Sequence, residues 1–190
     1  VADGQTLYLF GGRTERKGDR NDVWLYSIST DHWQRAKPGN PQPSPRSWHT
    51  AVSWGQEMFV FGGIVNTKDN TDELWAYRFA TNTWRGPLSP TSGQVPLPRH
   101  GHTAVVYEDS MLVFAGSTTW DLQDLHRYHF SENRWEALVA DGPVPFPRYT
   151  HAAAMVAPQG TMYMHGGTTG NMSHIRNAEF FRLDVPRHHK

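Results

Sequence analysis

The chain has 190 residues, with Lys plus Arg and Asp plus Glu each numbering 18, no Cys, and an aromatic share of 13% that includes 8 Trp. That is about one domain's length, and a chain near this size buries roughly 70% of the surface it exposes when unfolded. A net charge near zero excludes a chain-wide basic footprint for nucleic acid or anionic membrane, the missing Cys excludes disulfides, thiolate metal sites and a Cys nucleophile, and no apolar run reaches the roughly 18 residues of a membrane span.

The N-terminus, Val1-Ala2-Asp3-Gly4, resembles neither a signal peptide nor a natural start. The 17 Gly and 13 Pro point to many turns and short strands rather than helices. The apolar run 6–10 reads as a strand closed by Gly11-Gly12, with a loop over 13–21 and a further strand through Tyr26. The turn Ser29-Thr30-Asp31-His32 then leads to Trp33. The next unit enters through Pro45-Arg46-Ser47-Trp48-His49-Thr50 and divides into four strand-like pieces, 49–54, 58–61, 73–79 and 83–85. Large apolar side chains alternate with smaller or polar ones over 74–79, as a half-buried strand requires. Ala80-Thr81-Asn82-Thr83 joins the last two pieces, and Asn or Asp suits such turns because it tolerates left-handed backbone. The entry segment returns as Pro98-Arg99-His100-Gly101-His102-Thr103 and as Pro147-Arg148-Tyr149-Thr150-His151-Ala152, and Ser131-Glu132-Asn133-Arg134 repeats the turn. Asn171-Met172-Ser173 fits a glycosylation sequon, a match common by chance.

These elements repeat. Gly-Gly pairs end at Gly12, Gly63 and Gly167, with Ala115-Gly116 in the same place. Trp33, Trp84 and Trp135 stand 51 apart, as do Tyr26, Tyr77 and Tyr128. Paired glycines at a strand end mark a bend or a close approach that a Cβ would forbid, and the repeated Tyr and Trp suit the gaps between sheets. On these markers and this period the chain resembles the kelch-repeat family over nearly its whole length. The departures are Ala115 in place of a glycine and His165 where Phe10, Phe61 and Phe114 precede the pair. The resemblance implies an all-β kelch β-propeller of four-stranded antiparallel blades. The blades are expected over 5–36, 46–86, 99–138 and 148–185, with the first opening at its second strand. That makes about three and a half blades of a larger ring, six-bladed in the family's usual form.

Alternating strand direction puts the loops 13–21, 64–72, 117–123 and 168–177 on the same face as the Arg-x-x-His segments. Arg13, Arg16, Lys17 and Arg20 are thereby expected near Arg46, Ser47 and Trp48, a local basic cluster beside an aromatic platform. Arginine forks grip carboxylate or phosphate in bidentate fashion, Ser47 adds a hydroxyl donor, and Trp48 adds an apolar wall with an N–H. The competing reading makes Arg46, Arg99 and Arg148 scaffold, capping carbonyls or pairing with acids such as Asp22, Asp72 and Asp124, because they recur. The residues that vary beside them, Ser47, Trp48, His100 and Tyr149, are what each blade adds. His49, His102 and His151 recur and read as core or channel-lining residues. His126 and His129 point to opposite faces of one strand, and His188 and His189 sit in a polar tail, so no metal site is expected.

Gly11-Gly12-Arg13, Arg20-Asn21-Asp22 and Arg46-Ser47-Trp48-His49 together resemble one blade of the kelch-domain substrate receptors of cullin-RING ubiquitin ligases. Met162-Tyr163-Met164-His165-Gly166-Gly167 is similar to that group and to a leucine-zipper-like kelch adaptor. The resemblance implies a non-catalytic protein-interaction module that grips the C-terminal carboxylate of a partner peptide. Arg13 and Arg20 would clamp the carboxylate, Ser47 would donate a hydrogen bond and Trp48 would wall the pocket. Arg46, Arg99, His100, Arg148 and Tyr149 complete the candidate peptide-binding set. Cullin-RING components are expected partners, in the cytoplasm or nucleus, with no cofactor, nucleic acid or membrane. A cytoskeletal or organelle scaffold is the alternative. A kelch enzyme fits less well. The missing Cys removes a Cys-linked tyrosine copper centre, no acid-acid-His set stands on one loop, and G-x-S-x-G, P-loop and H-E-x-x-H motifs are lacking.

Overall fold

The computed structural model describes residues 1–170 and 175–185. The sequon at Asn171 and the pair His188 and His189 lie outside the described residues. The chain divides into two compact units, Val1–Ser89 and Pro90–Lys190. Both are built almost entirely of strands, and the one helical turn among the described residues is a 3-10 turn at Ala157–Gln159.

In the first unit, β1 (Ala2–Asp3), β2 (Thr6–Thr14), β3 (Gly18–Ser27) and β4 (His32–Arg35) follow one another in an antiparallel meander. The outer end of β3 also pairs with β5 (Arg46–Ser47), so that Arg20 stands opposite Arg46. A second meander holds β6 (Thr50–Trp54), β7 (Glu57–Phe61), β10 (Leu74–Arg78) and β11 (Thr83–Arg85). Between β7 and β10, the short β8 (Ile64–Val65) and β9 (Asp69–Asn70) leave that sheet: β8 pairs with β5, and β9 pairs with β8. Phe10, Val23, Met58, Val60, Trp75, Tyr77 and Trp84 form one buried cluster between the two meanders. Trp84 meets Phe10 edge-on at 4.8 Å between ring centroids.

In the second unit, β12 (Thr103–Tyr107), β13 (Ser110–Ser117), β14 (Asp121–His129) and β15 (Arg134–Leu138) make a four-stranded meander. Every residue of β13 is buried, which fits a central strand read as a continuous apolar run. A three-stranded sheet joins β16 (Ala152–Val156), β17 (Thr161–His165) and β20 (Phe180–Asp184), with β18 (Thr168–Thr169) and β19 (Ile175–Arg176) paired apart. Val105, Tyr107, Leu112, Phe114, Leu125, Met162 and Met164 share the core between the two larger sheets.

Three local devices explain why these residues form these elements. In each hairpin between a third and a fourth strand, an Asn or Asp adopts positive φ: Asp31, Asn82 and Asn133. The repeated tyrosine hydroxyl donates to that side chain, Tyr26 to Asp31 at 2.6 Å, Tyr77 to Asn82, and Tyr128 to Asn133 at 2.7 Å. The tyrosine therefore ties the turn as well as filling the sheet face. At three of the four pairs the second place is the crowded one: a Cβ at Gly116 would lie 2.8 Å from the Cβ of His102, one at Gly63 would meet Ser47 O at 2.7 Å and one at Gly167 the Cβ of His151 at 2.9 Å, whereas in the first pair Gly11 is crowded, by the Arg20 and Arg46 carbonyls at 3.0 Å, and Gly12 is open. In the fourth pair the first place is looser, since a Cβ at Gly166 would meet nothing nearer than 3.5 Å, and Ala115 stands at that place in the third.

Two details depart from the sequence reading. Ala2–Asp3 pairs with Thr6–Leu7, so a short strand precedes the one at which the first blade was expected to open. The segment 13–21 is ladder rather than loop over most of its length, because β2 and β3 stay paired out to Thr14 opposite Gly18.

Candidate functional site

Each Pro-Arg-x-x-His segment builds the same clamp. Arg46, Arg99 and Arg148 are 0%, 0% and 1% exposed. In each, Nε donates to the carbonyl two residues back: Ser44 at 3.2 Å, Leu97 at 3.0 Å and Phe146 at 3.0 Å. Nη1 donates to the carbonyl of the first residue of the glycine pair, namely Gly62, Ala115 and Gly166. The rest of each fork meets an acid on or just before the third strand: Glu73, Asp124 in bidentate fashion at 2.7 and 2.8 Å, and Glu179 at 2.8 Å. Each acid has an aromatic residue two positions further on. Trp75 donates to Glu73, the His126 ring bonds Asp124, and Phe181 lies under the Arg148 guanidinium at 5.0 Å. Burial works to raise the Glu73 and Asp124 carboxyls, but the arginine and aromatic hydrogen bonds outweigh it and hold both below the ordinary range. The three arginines are thus spent inside the scaffold. Arg46 takes Glu73 rather than the neighbouring Asp72, and Asp22 pairs instead with Arg20 at 3.4 Å and Arg35 at 3.8 Å.

The two varied positions have fixed backbone roles. The first pairs across to the residue after the glycine pair, giving Ser47 opposite Ile64, His100 opposite Ser117 and Tyr149 opposite Thr168. The second always has positive φ: Trp48 at 60°, Gly101 at 61° and Thr150 at 57°. A left-handed non-glycine residue costs of order 1–3 kcal/mol, and such strain gathers at functional sites. Ser47 is 3% exposed and its Oγ has no hydrogen-bond partner, while Trp48 is 52% exposed.

The β2–β3 hairpin carries the positive charge. Arg13, Arg16 and Lys17 are exposed and have no acidic partner among the described residues, and Arg20 is half-buried beside Asp22. An open groove of about 540 Å³ is lined by Arg16, Lys17, Arg20 and Arg35 together with Thr14, Glu15, Asp22 and Trp24. Arg13, Ser47 and Trp48 do not line it. Backbone pairing brings Arg20 and the Arg46–Ser47 strand side by side, and Trp48 follows directly on that strand. Trp24 and Arg35 were absent from the sequence-based set. Trp24 was detectable, since Trp24, Trp75 and His126 each stand two residues past the acid that they bond, Asp22, Glu73 and Asp124.

In the second unit His100 and Tyr149 meet edge-to-face at 6.1 Å between ring centroids, both half-buried. Burial lowers the His100 pKa, partly opposed by Asp121. Asp121 in turn accepts the Gly170 N–H at 2.8 Å. Among the described residues no cluster of three or more His, Asp or Glu has metal-binding geometry.

The family model described as the KLHDC2/KLHL20/DRC7 Kelch-repeats domain matches residues 1–167 and, in an overlapping second match, 101–187. Kelch domain-containing protein 10 of Xenopus tropicalis is 32% identical over 184 residues, covering 93% of this chain and 44% of that protein. Host cell factor 2 of Homo sapiens is 30% identical over 187 residues, 88% of this chain and 23% of that protein. The leucine-zipper-like transcriptional regulator 1 homolog of Drosophila melanogaster is 31% identical over 178 residues, 90% of this chain and 18% of that protein. The chain thus spans less than half the length of each of these relatives.

Proposed function

We propose, from the premise that this chain belongs to the kelch-repeat family of β-propellers, that it binds the C-terminal carboxylate of a partner peptide as the substrate receptor of a ubiquitin ligase. Kelch-repeat domains are generally non-catalytic protein-interaction modules. The observation that carries the finer reading is the β2–β3 hairpin, whose Arg13, Arg16 and Lys17 have no acidic partner among the described residues. It is paired through Arg20 to the strand that presents the exposed, left-handed Trp48. Unpaired guanidinium forks suit a carboxylate, and an exposed indole suits the last apolar side chains of a peptide. Arg46, Arg99 and Arg148 are left out of the contact set because their donors are already used. The cullin-RING partner belongs to this proposal and rests on the resemblance in the Arg13, Arg20 and Trp48 region.

A screen of peptides with free C-termini, read by fluorescence anisotropy, tests the assignment. The best peptide should lose affinity with Arg13→Ala and with Trp48→Ala. Losing one charge-assisted contact costs about 1.5–3 kcal/mol, roughly a ten- to hundredfold weakening. Unchanged affinity in both variants would remove the hairpin from the binding site.

A further inference from the structure

The second unit carries a row of polar side chains built around one acid. His100 pairs across to Ser117, Ser117 to Asp121, and Tyr149 to Thr168. The Arg148 N–H donates to the Leu122 carbonyl at 3.0 Å, which sets Tyr149 across from Asp121. Residues that face each other across a ladder put their side chains on the same side, so these five share one face. Asp121 stands in the middle of the row with described strands on both sides, and its surroundings depend on neither end of the chain.

The charge of Asp121 is not compensated. Oδ2 accepts the Gly170 N–H at 2.8 Å, while Oδ1 is buried without a hydrogen-bond partner. No Lys or Arg pairs with it among the described residues. Ser117 turns its hydroxyl to the Trp120 carbonyl at 3.4 Å, and Arg148, beside Tyr149, is taken up by Phe146, Gly166 and Glu179. Burial lowers the His100 pKa and Asp121 opposes it only in part, so the ring is neutral at neutral pH. The first unit differs at this place. Asp19 stands where Asp121 does, since Arg13 pairs with Asp19 as Ser117 with Asp121, and Gly12 with Arg20 as Gly116 with Leu122. There the ladder neighbour is a cation, and in the second unit it is a small neutral hydroxyl. A partly buried carboxylate calls for a positive partner, and the two half-buried rings beside it, His100 and Tyr149 in edge-to-face contact at 6.1 Å, suit a planar cation.

We infer that this row is a binding site for an arginine side chain of a partner polypeptide, with Asp121 supplying the counter-charge and Tyr149 the aromatic wall. A guanidinium is planar and weakly hydrated, so it stacks on an aromatic face where an ammonium holds its water. Oδ1 is enclosed, so Asp121 acts on the guanidinium through its charge, which is worth several times more near a protein surface than in bulk water. His100 positions the Tyr149 ring and, being neutral, adds no competing positive charge. The site is separate from the carboxylate-binding hairpin of the first unit and takes the opposite charge.

The probe is the peptide Gly-Ser-Arg-Ser-Gly, acetylated and amidated so that the guanidinium is its only charge. Titrated into the 190-residue chain and followed by amide NMR, it should shift the Ser117 and Gly170 resonances saturably. The same peptide with citrulline, which keeps the shape and loses the charge, should bind about tenfold more weakly. Asp121→Asn keeps an oxygen for the Gly170 N–H and removes only the charge, and it should weaken the arginine peptide by about the same factor. Tyr149→Leu should weaken it severalfold. No saturable shift, equal binding of the arginine and citrulline peptides, or unchanged affinity in Asp121→Asn would overturn the proposal. If Asp121→Asn also lowers the unfolding midpoint, the citrulline comparison on the natural chain decides. Arg13→Ala should leave the probe's affinity unchanged, and a loss there would place the probe in the first unit and overturn the assignment. The probe has no carboxylate, so its failure leaves the carboxylate reading of the first unit standing.

Discussion

At position 48 an exposed indole is carried on left-handed backbone, a conformation that the matching place in the third repeat gives to Gly101. Trp48→Gly should relieve about 1–2 kcal/mol of backbone strain and give back roughly 1 kcal/mol in unfolded-chain entropy. Chemical denaturation should therefore find stability within about 1 kcal/mol of the natural chain while peptide affinity falls. A large destabilisation would mean that Trp48 is structural. The buried arginines behave oppositely. Arg99 is fully buried with a bidentate carboxylate partner, and removing one member of such a pair costs on the order of 3–5 kcal/mol. Arg99→Ala should lower the unfolding midpoint sharply, and an Arg99→Ala chain of near-natural stability would refute the clamp's structural role. The acid of a clamp was hard to choose from sequence because neighbours in an extended segment point opposite ways: Asp72 and Glu73 are equally close along the chain, and only Glu73 faces Arg46.

Elements join through the entry segments, and these carry a pH dependence. Burial, reinforced by the charges of Arg46 and Arg148, depresses His49 and His151 to about 4. An unfolded histidine titrates near 6.5, so between about pH 6.5 and pH 4 the unfolded chain binds protons that the folded chain refuses. Stability is complete above this window and falls as pH drops through it. By pH 5 the loss is on the order of 1–2 kcal/mol per histidine. The lowered carboxylates, Glu73 and Asp124, add their own loss only as pH falls further, toward their depressed folded values. Urea midpoints at pH 7 and pH 5 should differ in the natural chain and converge in a His49→Gln/His151→Gln variant. A midpoint that does not move between these pH values in the natural chain would contradict the buried neutral state. The first-strand remnant at Ala2–Asp3 escaped the sequence reading because two residues carry no periodicity, although Gly4-Gln5 repeats the Gly55-Gln56 turn that follows Ser53-Trp54.

Across the whole molecule the fold was legible because its recurring residues have recurring jobs. The second glycine admits a histidine at close range, the tyrosine hydroxyl ties a turn, and the tryptophan packs against that tyrosine at 5.0 Å in three sheets. The tyrosine and tryptophan recur every 51 residues and the glycine after 51, 53 and 51, spacings that survive in the linear sequence. The site was only partly legible because what matters there is exposure and which side chains are already partnered, and both depend on contacts far apart in sequence. Ser47 and Trp48 are adjacent, yet one is buried and the other open. Arg13 and Arg46 look alike as letters, yet one is exposed without an acid and the other is enclosed by three partners. Trp33 and Trp84 occupy the same place in their repeats, yet Trp33 is 48% exposed and Trp84 is buried. The central claim is that this scaffold presents the unpaired cations of the β2–β3 hairpin to a chain terminus. Calorimetric titration of one peptide in two forms, with a free C-terminus and with an amidated one, tests it most directly. The account predicts that amidation weakens binding about tenfold or more, and equal affinity of the two forms would contradict it.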